Sequence, residues 1–348
     1  MRKALFICLA LLAGPVAGGA ALAGDLGSVH SWLLLLNNDV DDAMVSRIAA
    51  SGYDMVVIDD VSTQSGVAAD LAASVVDRLR RKPDGSRRIV ISYLNVGQAE
   101  NYRTYWRKGW RVGAPGFILG PDPEGWAGNY PVAYWAPGWQ DLIVGSKGLL
   151  EQIQDAGFDG VYLDWIGGFE DDWVVAAARR AHLDPRAAMI AWVQDVASRA
   201  KTRTPAFSII AQNAAGLLAE PSYIAAIDAV AHEDIWYTGA DGGPDGDCPV
   251  PRTSQEVGSR AYIASLSAAC RRAYRRTSAG AMHAVGYDAI VPLLRQAAAQ
   301  GRVVFTVDYA KDAQHIAEAT VQSRSLGFVP FVGGRRLDSY VNEFATTK

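Results

Sequence analysis

Cysteine is scarce in this sequence, which has only three in 348 residues. A chain of this length can bury a core large enough to fold without covalent cross-links, so a small disulfide-stabilised scaffold is excluded. Positive charge is not in excess either, because 33 Lys and Arg stand against 37 Asp and Glu and give a net charge of -4. Since a phosphate backbone requires a positive surplus, we expect no nucleic-acid partner.

The longest apolar stretch lies near the N-terminus, and it is short. Arg2 and Lys3 precede an apolar run over 4–13, and small residues follow to Ala23. This order is typical of a secretory signal peptide. About ten apolar residues are too few to cross a bilayer, which requires about 20. We predict a signal peptide over 1–23, a mature domain over 24–348, a secreted or periplasmic protein and no stable membrane insertion. An uncleaved anchor is the alternative.

Two cysteines, Cys248 and Cys270, remain once the signal peptide is removed, because Cys8 leaves with it. In an oxidising compartment an even pair usually forms a bond, and a loop of this length gives about 3 kcal/mol of stabilisation from chain entropy. We therefore predict a structural disulfide between these two residues. Two unpaired buried thiols are the alternative.

Motifs for metal and cofactor chemistry are also absent. The histidines lack the spacing of zinc ligands, and they are His30, His182, His232, His283 and His315. Three aspartates of a glycine-rich loop, Asp241, Asp245 and Asp247, lack the Glu that completes an EF-hand. No GxGxxG follows the first predicted strand, and no GxSxG is present. We predict that the protein uses no metal and no other cofactor.

Short apolar runs and helical periodicity alternate eight times along the chain. The predicted strands cover 32–36, 55–58, 89–94, 161–163, 207–211, 229–231, 303–307 and 328–331. The predicted helices cover 41–51, 68–81, 98–110, 140–156, 171–201, 216–226, 287–300 and 313–325. Eight such units with continuously apolar strands favour a single-domain α/β fold, a (β/α)8 TIM barrel, over an open doubly wound sheet. Two long βα-loop insertions, 112–139 and 239–253, are expected to wall one end.

Acidic and amide residues stand directly after the predicted strands, where a barrel of this type carries its chemistry. They are Asp59, Asp60, Asn95, Asp164, Gln212, Asn213, Glu233, Asp234 and Asp308, with Trp165 and Tyr309 beside them. Sugar hydroxyls pair with carboxylates and amides, sugar rings stack on aromatic faces, and glycosidic cleavage requires two carboxyl groups. Asp164 and Glu233 close the fourth and sixth strands, which project into the barrel at one level. We predict that they are the catalytic pair.

Each of these residues also has a structural interpretation. Acids at strand ends cap the following helix or pair with a neighbouring arginine, and this applies equally well to Asp59, Asp60 and Asp308. Ten tryptophans are present, and seven fall between 106 and 173. We assign Trp192, at helical spacing, to the core. Trp126, Trp135 and Trp139 in the first insertion are the candidate sugar platforms, and Trp236 is expected to surround Glu233 with apolar atoms.

Several segments together resemble glycoside hydrolase family 114, the endo-α-1,4-polygalactosaminidases and their relatives. The resemblance rests on YLNVGQAENYR at 93–103, YW at 134–135, GFDGVYLDW at 157–165, EDIWY at 233–237 and VDY at 307–309. These motifs occur in the same order as in the family and cover most of the mature chain.

The resemblance implies a metal-free, retaining endo-hydrolase of α-1,4-linked galactosamine or N-acetylgalactosamine polysaccharide, with Asp164 as nucleophile and Glu233 as acid/base. We expect a polysaccharide substrate and a monomer. The expected substrate-binding residues are Asp59, Asp60, Tyr93, Asn95, Tyr134, Trp135, Trp165, Asn213, Trp236, Asp308 and Tyr309. A non-catalytic carbohydrate-binding barrel is the alternative, and a metal-dependent deacetylase is a third possibility.

Overall fold

The computed structural model describes residues 25–36, 40–59, 69–123, 125–239, 245–276 and 285–341. Its strands are β1 Trp32–Leu35, β2 Met55–Asp59, β3 Ile89–Asn95, β4 Gln98–Glu100, β5 Asn129–Pro131, β6 Gly160–Asp164, β7 Ser208–Gln212, β8 Ala229–Glu233, β9 Tyr237–Thr238, β10 Cys248–Pro249, β11 Val303–Tyr309 and β12 Val329–Gly333. Its α-helices are α1 Asp42–Ala49, α2 Ala69–Leu79, α3 Pro137–Val144, α4 Leu149–Asp155, α5 Asp172–Arg180, α6 Pro185–Arg203, α7 Pro221–Ala226, α8 Arg260–Ser265, α9 Ala268–Arg276, α10 Tyr287–Ala299 and α11 Ala313–Ser325.

Eight parallel strands form one sheet in the order β1-β2-β3-β6-β7-β8-β11-β12. The two edge strands lie against each other, since the indole N–H of Trp32 donates to the carbonyl of Val329 at 3.1 Å. The sheet therefore curves into a nearly closed barrel, and the predicted TIM-barrel fold is confirmed. The remaining strands form two antiparallel pairs, β4 with β5 and β9 with β10, outside the barrel wall.

Aromatic side chains fill the barrel and show which face of each strand points inward. The ring of Trp32 contacts Tyr162, Phe305 and Phe331, with centroids 6.4, 5.1 and 5.7 Å away. Since successive side chains of a strand alternate between faces, residues two positions further along also point inward. In β6 that residue is Asp164. The inward set of β11 includes Tyr309 and excludes Asp308.

Register places the inward residues of neighbouring strands side by side at the carboxyl end. Asn95 of β3 is paired with Asp164 of β6, and Glu233 of β8 is paired with Val307 of β11. Asp59 of β2 is paired with Tyr93. The inward residues at this end therefore include three strand-terminal acids, Asp59, Asp164 and Glu233, and the last two come from the strands that are fourth and sixth in the barrel.

Secondary structure departs from the sequence-based assignment in the segment after β3. The helix predicted over 98–110 is wrong, because Gln98–Glu100 is a strand paired with Asn129–Pro131 and the rest consists of turns. Trp106 and Trp110 are four residues apart, a spacing typical of a helix, but here their rings pack against each other in an irregular segment, with centroids 5.5 Å apart. The helices predicted over 140–156 and 171–201 are each two helices, α3 with α4 and α5 with α6.

The second insertion is held by the predicted disulfide. Cys248 in β10 and Cys270 in α9 are bonded, with their Cα atoms 5.5 Å apart. Both cysteines are buried in a small cluster of their own with Tyr262 and Leu266. The predicted disulfide is thus present, and it ties the loop after β8 to α9.

Four features named from the sequence fall outside the described residues. They are the signal peptide over 1–23, Asp60, Asp241 and His283. No helix within the described ranges is both long and apolar enough to traverse a lipid bilayer.

Candidate active site

Asp164 ends β6 and points into the mouth of the barrel, where two donors hold its carboxylate. The hydroxyl of Tyr93 donates to Oδ2 at 2.7 Å, and the backbone N–H of Trp165 donates to Oδ1 at 2.7 Å. Trp165 adopts a left-handed conformation with φ of 61°, which turns its amide back toward the carboxylate. Hydrogen bonds on both oxygens fix the orientation of this side chain.

Glu233 ends β8 and is held by partners from the neighbouring strands. Tyr309 donates its hydroxyl proton to Oε1, and Asn213 donates to Oε2 at 3.0 Å. The amide oxygen of Asn213 also accepts from the backbone N–H of Glu233 at 2.9 Å. Asn213 has a φ of 58°, a conformation that Asn adopts more readily than most residues. Asn213 therefore fixes both the carboxylate and the backbone of Glu233.

The two carboxyl groups influence each other electrostatically. Burial raises the pKa of Asp164 to about 7, and the negative charge of Glu233 adds to this rise, while the hydrogen bonds from Tyr93 and Trp165 oppose it. The charge of Glu233 also contributes to raising the pKa of Tyr309, after burial. Two interacting carboxyl groups in a poorly solvated barrel mouth are the arrangement in which one can carry a proton while the other is ionised.

Asp59 ends β2 inside the barrel and belongs to a buried ion cluster. Arg103 donates through Nη1 to Asp59 and through Nε to Glu100, both at 2.7 Å. All three side chains are buried, and the Arg103 guanidinium also lies over the ring of Tyr93, 5.9 Å from its centroid. The structural interpretation of Asp59, pairing with an arginine, is therefore the observed one, and this cluster supports the residue that holds Asp164.

Asn95 belongs to a chain of hydrogen-bonded polar side chains, in which it lies between Tyr93 and Gln98. Its side-chain amide donates to the hydroxyl of Tyr93 and to Oε1 of Gln98, both at 3.2 Å. Asn95 is buried, so it is placed to position Tyr93.

Two predicted site residues of the late strands point away from the barrel mouth. The side chain of Asp308 is fully buried behind the wall, where Oδ1 accepts from the backbone N–H groups of Trp236 and Tyr237 at 2.6 and 3.0 Å. Trp236 is also buried there, and its indole N–H donates to Ser323 of α11 at 2.8 Å. The expectations that Asp308 surrounds the substrate and that Trp236 surrounds Glu233 are wrong, because strand alternation and the turn after β8 place both outside.

Two aromatic residues of the first insertion are likewise part of the core. Trp139 has no exposed surface, and both it and Trp192 donate their indole N–H to the carbonyl of Val96. Tyr134 is buried and donates its hydroxyl to the carbonyl of Pro185 at 2.6 Å. Trp139 is therefore not a sugar platform and Tyr134 is not placed to touch substrate, whereas the assignment of Trp192 to the core is confirmed. Trp126 and Trp135 are partly buried.

Four polar residues near the site, Gln98, Glu100, Arg103 and Asp122, were not predicted from the sequence. Gln98 donates to Asp122 at 2.5 Å, which extends the polar chain from Asn95 outward. Glu100 and Arg103 were assigned to a helix that does not form. A single signal was available, since charged residues stood within an otherwise aromatic and glycine-rich stretch.

In the described part of the chain, no three His, Cys, Asp or Glu side chains are grouped closely enough to hold a metal ion. His232 precedes Glu233 but occupies the opposite face of β8, opposite Thr306, and burial lowers its pKa.

Comparison with known sequences assigns the family. The model described as "Glycoside-hydrolase family GH114" matches residues 49–347. The chain belongs to family GH114. An uncharacterized protein of Deinococcus radiodurans is 32% identical over 318 residues, which span 91% of this chain and 84% of that protein. An uncharacterized protein of Methanocaldococcus jannaschii is 26% identical over 322 residues, 88% of this chain and 77% of that one.

Solved structures share the fold of this GH114 member. The glycoside hydrolase domain of PelA from Pseudomonas aeruginosa is similar with a TM-score of 0.58 and 16% identity, over 89% of this chain and 97% of that chain. Ega3 from Aspergillus fumigatus, in complex with galactosamine, has a TM-score of 0.54 and 18% identity, over 90% and 95%. The protein is a glycoside hydrolase with a TIM-barrel fold.

Proposed function

We propose that this GH114 enzyme cleaves α-1,4-linked galactosamine or N-acetylgalactosamine polysaccharide within the chain, with Asp164 as nucleophile and Glu233 as acid/base. The observation that carries the proposal is the pair itself. Two inward carboxyl groups from the fourth and sixth strands interact electrostatically at the carboxyl end of the barrel, and each is held by its own hydroxyl and N–H donors.

The contacts of Asp164 fit the role assigned to it. In the first step Glu233 protonates the leaving glycosidic oxygen while the Asp164 carboxylate attacks the anomeric carbon and forms a glycosyl ester. In the second step Glu233 takes a proton from water, which attacks the same carbon and releases Asp164. Tyr93 and the amide of Trp165 stabilise the ionised form of Asp164 that attack requires. Retention through this route requires the two carboxyl groups to be about 5 to 5.5 Å apart.

Substrate chemistry is inferred from the family, a relative and the local charge. Ega3 is described in complex with galactosamine, and the acids of this barrel mouth would attract a cationic amino sugar. A bound ammonium group would also lower the pKa of Asp164 and favour its ionised form. Residues proposed to contact or orient the sugar are Tyr93, Asn95, Trp135, Trp165, Asn213 and Tyr309. Asp60 retains the same proposed role from sequence.

Export is part of the proposal. The Cys248–Cys270 disulfide is consistent with an oxidising compartment, and residues 1–23 have the pattern of a signal peptide. N-terminal sequencing of the protein recovered from the periplasm or medium of an expressing bacterium tests this, with a mature start near Gly24 as the expected result. Retention of the full N-terminus in the membrane fraction would identify an uncleaved anchor instead.

The decisive experiment measures new reducing ends from partially deacetylated α-1,4-galactosaminan. We expect the wild type to release a ladder of oligosaccharides, and Asp164→Asn and Glu233→Gln to lose at least 1,000-fold in rate, an order-of-magnitude expectation for removing an essential catalytic group. Asp141→Asn, an exposed acid on α3, is the control. NMR of the first-formed anomer tests retention. Binding without cleavage by all four proteins would support the carbohydrate-binding barrel instead.

A further inference from the structure

Trp173 is an exposed tryptophan at the rim that carries the candidate site. It lies in the first turn of α5, which follows the strand that ends at Asp164. Its side chain is 47% exposed, unlike the buried Trp139 and Trp192. Few large hydrophobic side chains in the described structure are this exposed, and packing in the core does not explain the position of this one.

One face of the Trp173 indole is covered by a glycine. A Cβ added at Gly120 would lie 2.6 Å from each of three ring atoms, Cδ1, Cδ2 and Cε2, of the five-membered ring. Such equal distances place the Gly120 backbone directly over the ring face, and only glycine permits this approach. The ring is thus supported on one side while half of its surface remains open to solvent. A supported aromatic face can stack on the C–H surface of a sugar.

Two carboxylates accompany this ring. Asp122 lies two residues after Gly120, and Asp171 lies two residues before Trp173, where it caps α5 through the N–H groups of Trp173 and Val174. The two acids are close enough that the charge of Asp122 contributes to raising the pKa of Asp171, after burial and the neighbouring Asp172. Two acids therefore lie close to each other, and each is near in the chain to one of the two residues that form the ring contact.

Hydrogen bonds connect this rim with the catalytic pair. The chain runs from Asp164 to Tyr93, from Tyr93 to Asn95, from Asn95 to Gln98 and from Gln98 to Asp122. Asn95 and Gln98 are buried, so this chain runs beneath the surface and holds Asp122 in place relative to Asp164. Trp173 itself lies on the helix that follows the strand ending at Asp164, so a polymer that leaves the barrel mouth on this side would reach its ring.

We propose that Trp173, Asp122 and Asp171 form a distal subsite that binds an unacetylated, cationic hexosamine unit of the polymer. This inference rests on the proposed function, because the bound unit belongs to the same polysaccharide molecule that the enzyme cleaves. The ring would stack on the sugar face, and the carboxylates would accept hydrogen bonds from its ammonium group. Acetylation removes that charge, so the subsite would read the acetylation state of a unit remote from the cleaved bond.

The test measures binding and does not depend on cleavage. The ligands are the α-1,4-galactosamine hexamer and disaccharide and the fully N-acetylated hexamer, titrated calorimetrically into Glu233→Gln protein. We expect Trp173→Ala to weaken hexamer binding roughly tenfold and disaccharide binding less than twofold, consistent with the loss of one stacking contact. Trp173→Phe should retain most of the affinity. Val321→Ala, at a side chain 66% exposed on α11, is the matched control.

A second variant isolates the charge. Asp171→Asn keeps a residue that caps helices equally well, so α5 is preserved while one negative charge is lost. We expect its preference for the amine hexamer over the N-acetylated hexamer to fall threefold or more. Unchanged hexamer affinity on adding Trp173→Ala to Glu233→Gln, or equal affinity of Glu233→Gln protein for both hexamers, would overturn the subsite. If Glu233→Gln protein binds these ligands as expected but the wild type never releases reducing ends, the proposed hydrolysis fails and the subsite stands.

Discussion

Tyr93 donates a 2.7 Å hydrogen bond to Oδ2 of Asp164 and is itself supported by the guanidinium of Arg103. This bond favours the ionised carboxylate, while burial and the charge of Glu233 favour the protonated one. The balance leaves the pKa of Asp164 at about 7. The state of the proposed nucleophile is therefore set jointly by burial, by the charge of Glu233 and by the hydrogen bond from Tyr93.

The first prediction concerns the pH dependence of catalysis. If Asp164 must be ionised, kcat/KM rises as pH increases through about 7. Tyr93→Phe removes a hydrogen bond to the charged form, so the pKa of Asp164 should increase and the rise should move to higher pH. Full pH profiles of both proteins measure this. Tyr223→Phe, at a buried tyrosine of α7, should leave the profile in place. A lower rate in Tyr93→Phe without any shift of the profile would contradict this role.

The buried ion cluster provides a prediction about stability. Arg103→Met would leave the buried carboxylates of Asp59 and Glu100 without this cation, which costs about 3 to 5 kcal/mol in comparable cases. Urea denaturation of the disulfide-intact protein would measure the loss. The matched control is Arg199→Met, which breaks the exposed Arg199–Asp195 pair of α6 and should cost less than about 1 kcal/mol. Similar losses in the two variants would show that burial of the cluster does not matter.

Asp308 gives a prediction about the pH dependence of stability. Burial raises its pKa from 3.8 to about 7, and its Oδ2 has no hydrogen-bond partner in the described structure. The folded state therefore holds a proton that the unfolded state releases, and this contribution is complete below about pH 4 and lost as pH rises to about 7.

Asp308→Asn keeps the acceptor for Trp236 and Tyr237 and removes the titration. Chemical denaturation at pH 4.5, 6 and 8 should show a smaller decline in its unfolding free energy than in the wild type, by on the order of 3 kcal/mol. The decline should shrink without disappearing, since the pKa values of Asp164 and Asp234 are also raised, to about 7 and about 8. A variant whose decline matches the wild type would refute the assignment.

The disulfide provides the fourth prediction. Replacing Cys248 and Cys270 together by Ser opens a cross-link between residues 22 positions apart. The chain-entropy argument predicts a loss of about 3 kcal/mol. Thermal unfolding of the oxidised wild type, the reduced wild type and the double variant should place the last two together and below the first. An unaltered midpoint in the double variant would mean that packing of Tyr262 and Leu266 is sufficient.

The sequence alone determined the barrel and the catalytic candidates because both depend on local pattern. Eight apolar runs of strand length, separated by helical segments, favour a parallel sheet whose strands are covered on both faces, as in a barrel. In such a barrel the polar residues that directly follow each apolar run lie at the end that carries the chemistry. Asp164 and Glu233 could be found this way because each directly follows its apolar run. The disulfide was predictable because only two cysteines remained.

Only the tertiary structure decided which strand-end residues point into the barrel mouth. Asp308 and Tyr309 are neighbours in sequence, yet one caps a turn behind the wall and the other holds Glu233, because successive strand residues point to opposite faces. The insertion after β3 could not be read from periodicity, since its aromatic residues pack on one another in an irregular segment. A tryptophan such as Trp139 or Trp173 belongs to the core or can stack on a ligand according to which residues cover its ring. Those residues come from distant parts of the sequence, so packing in the folded chain decides the outcome.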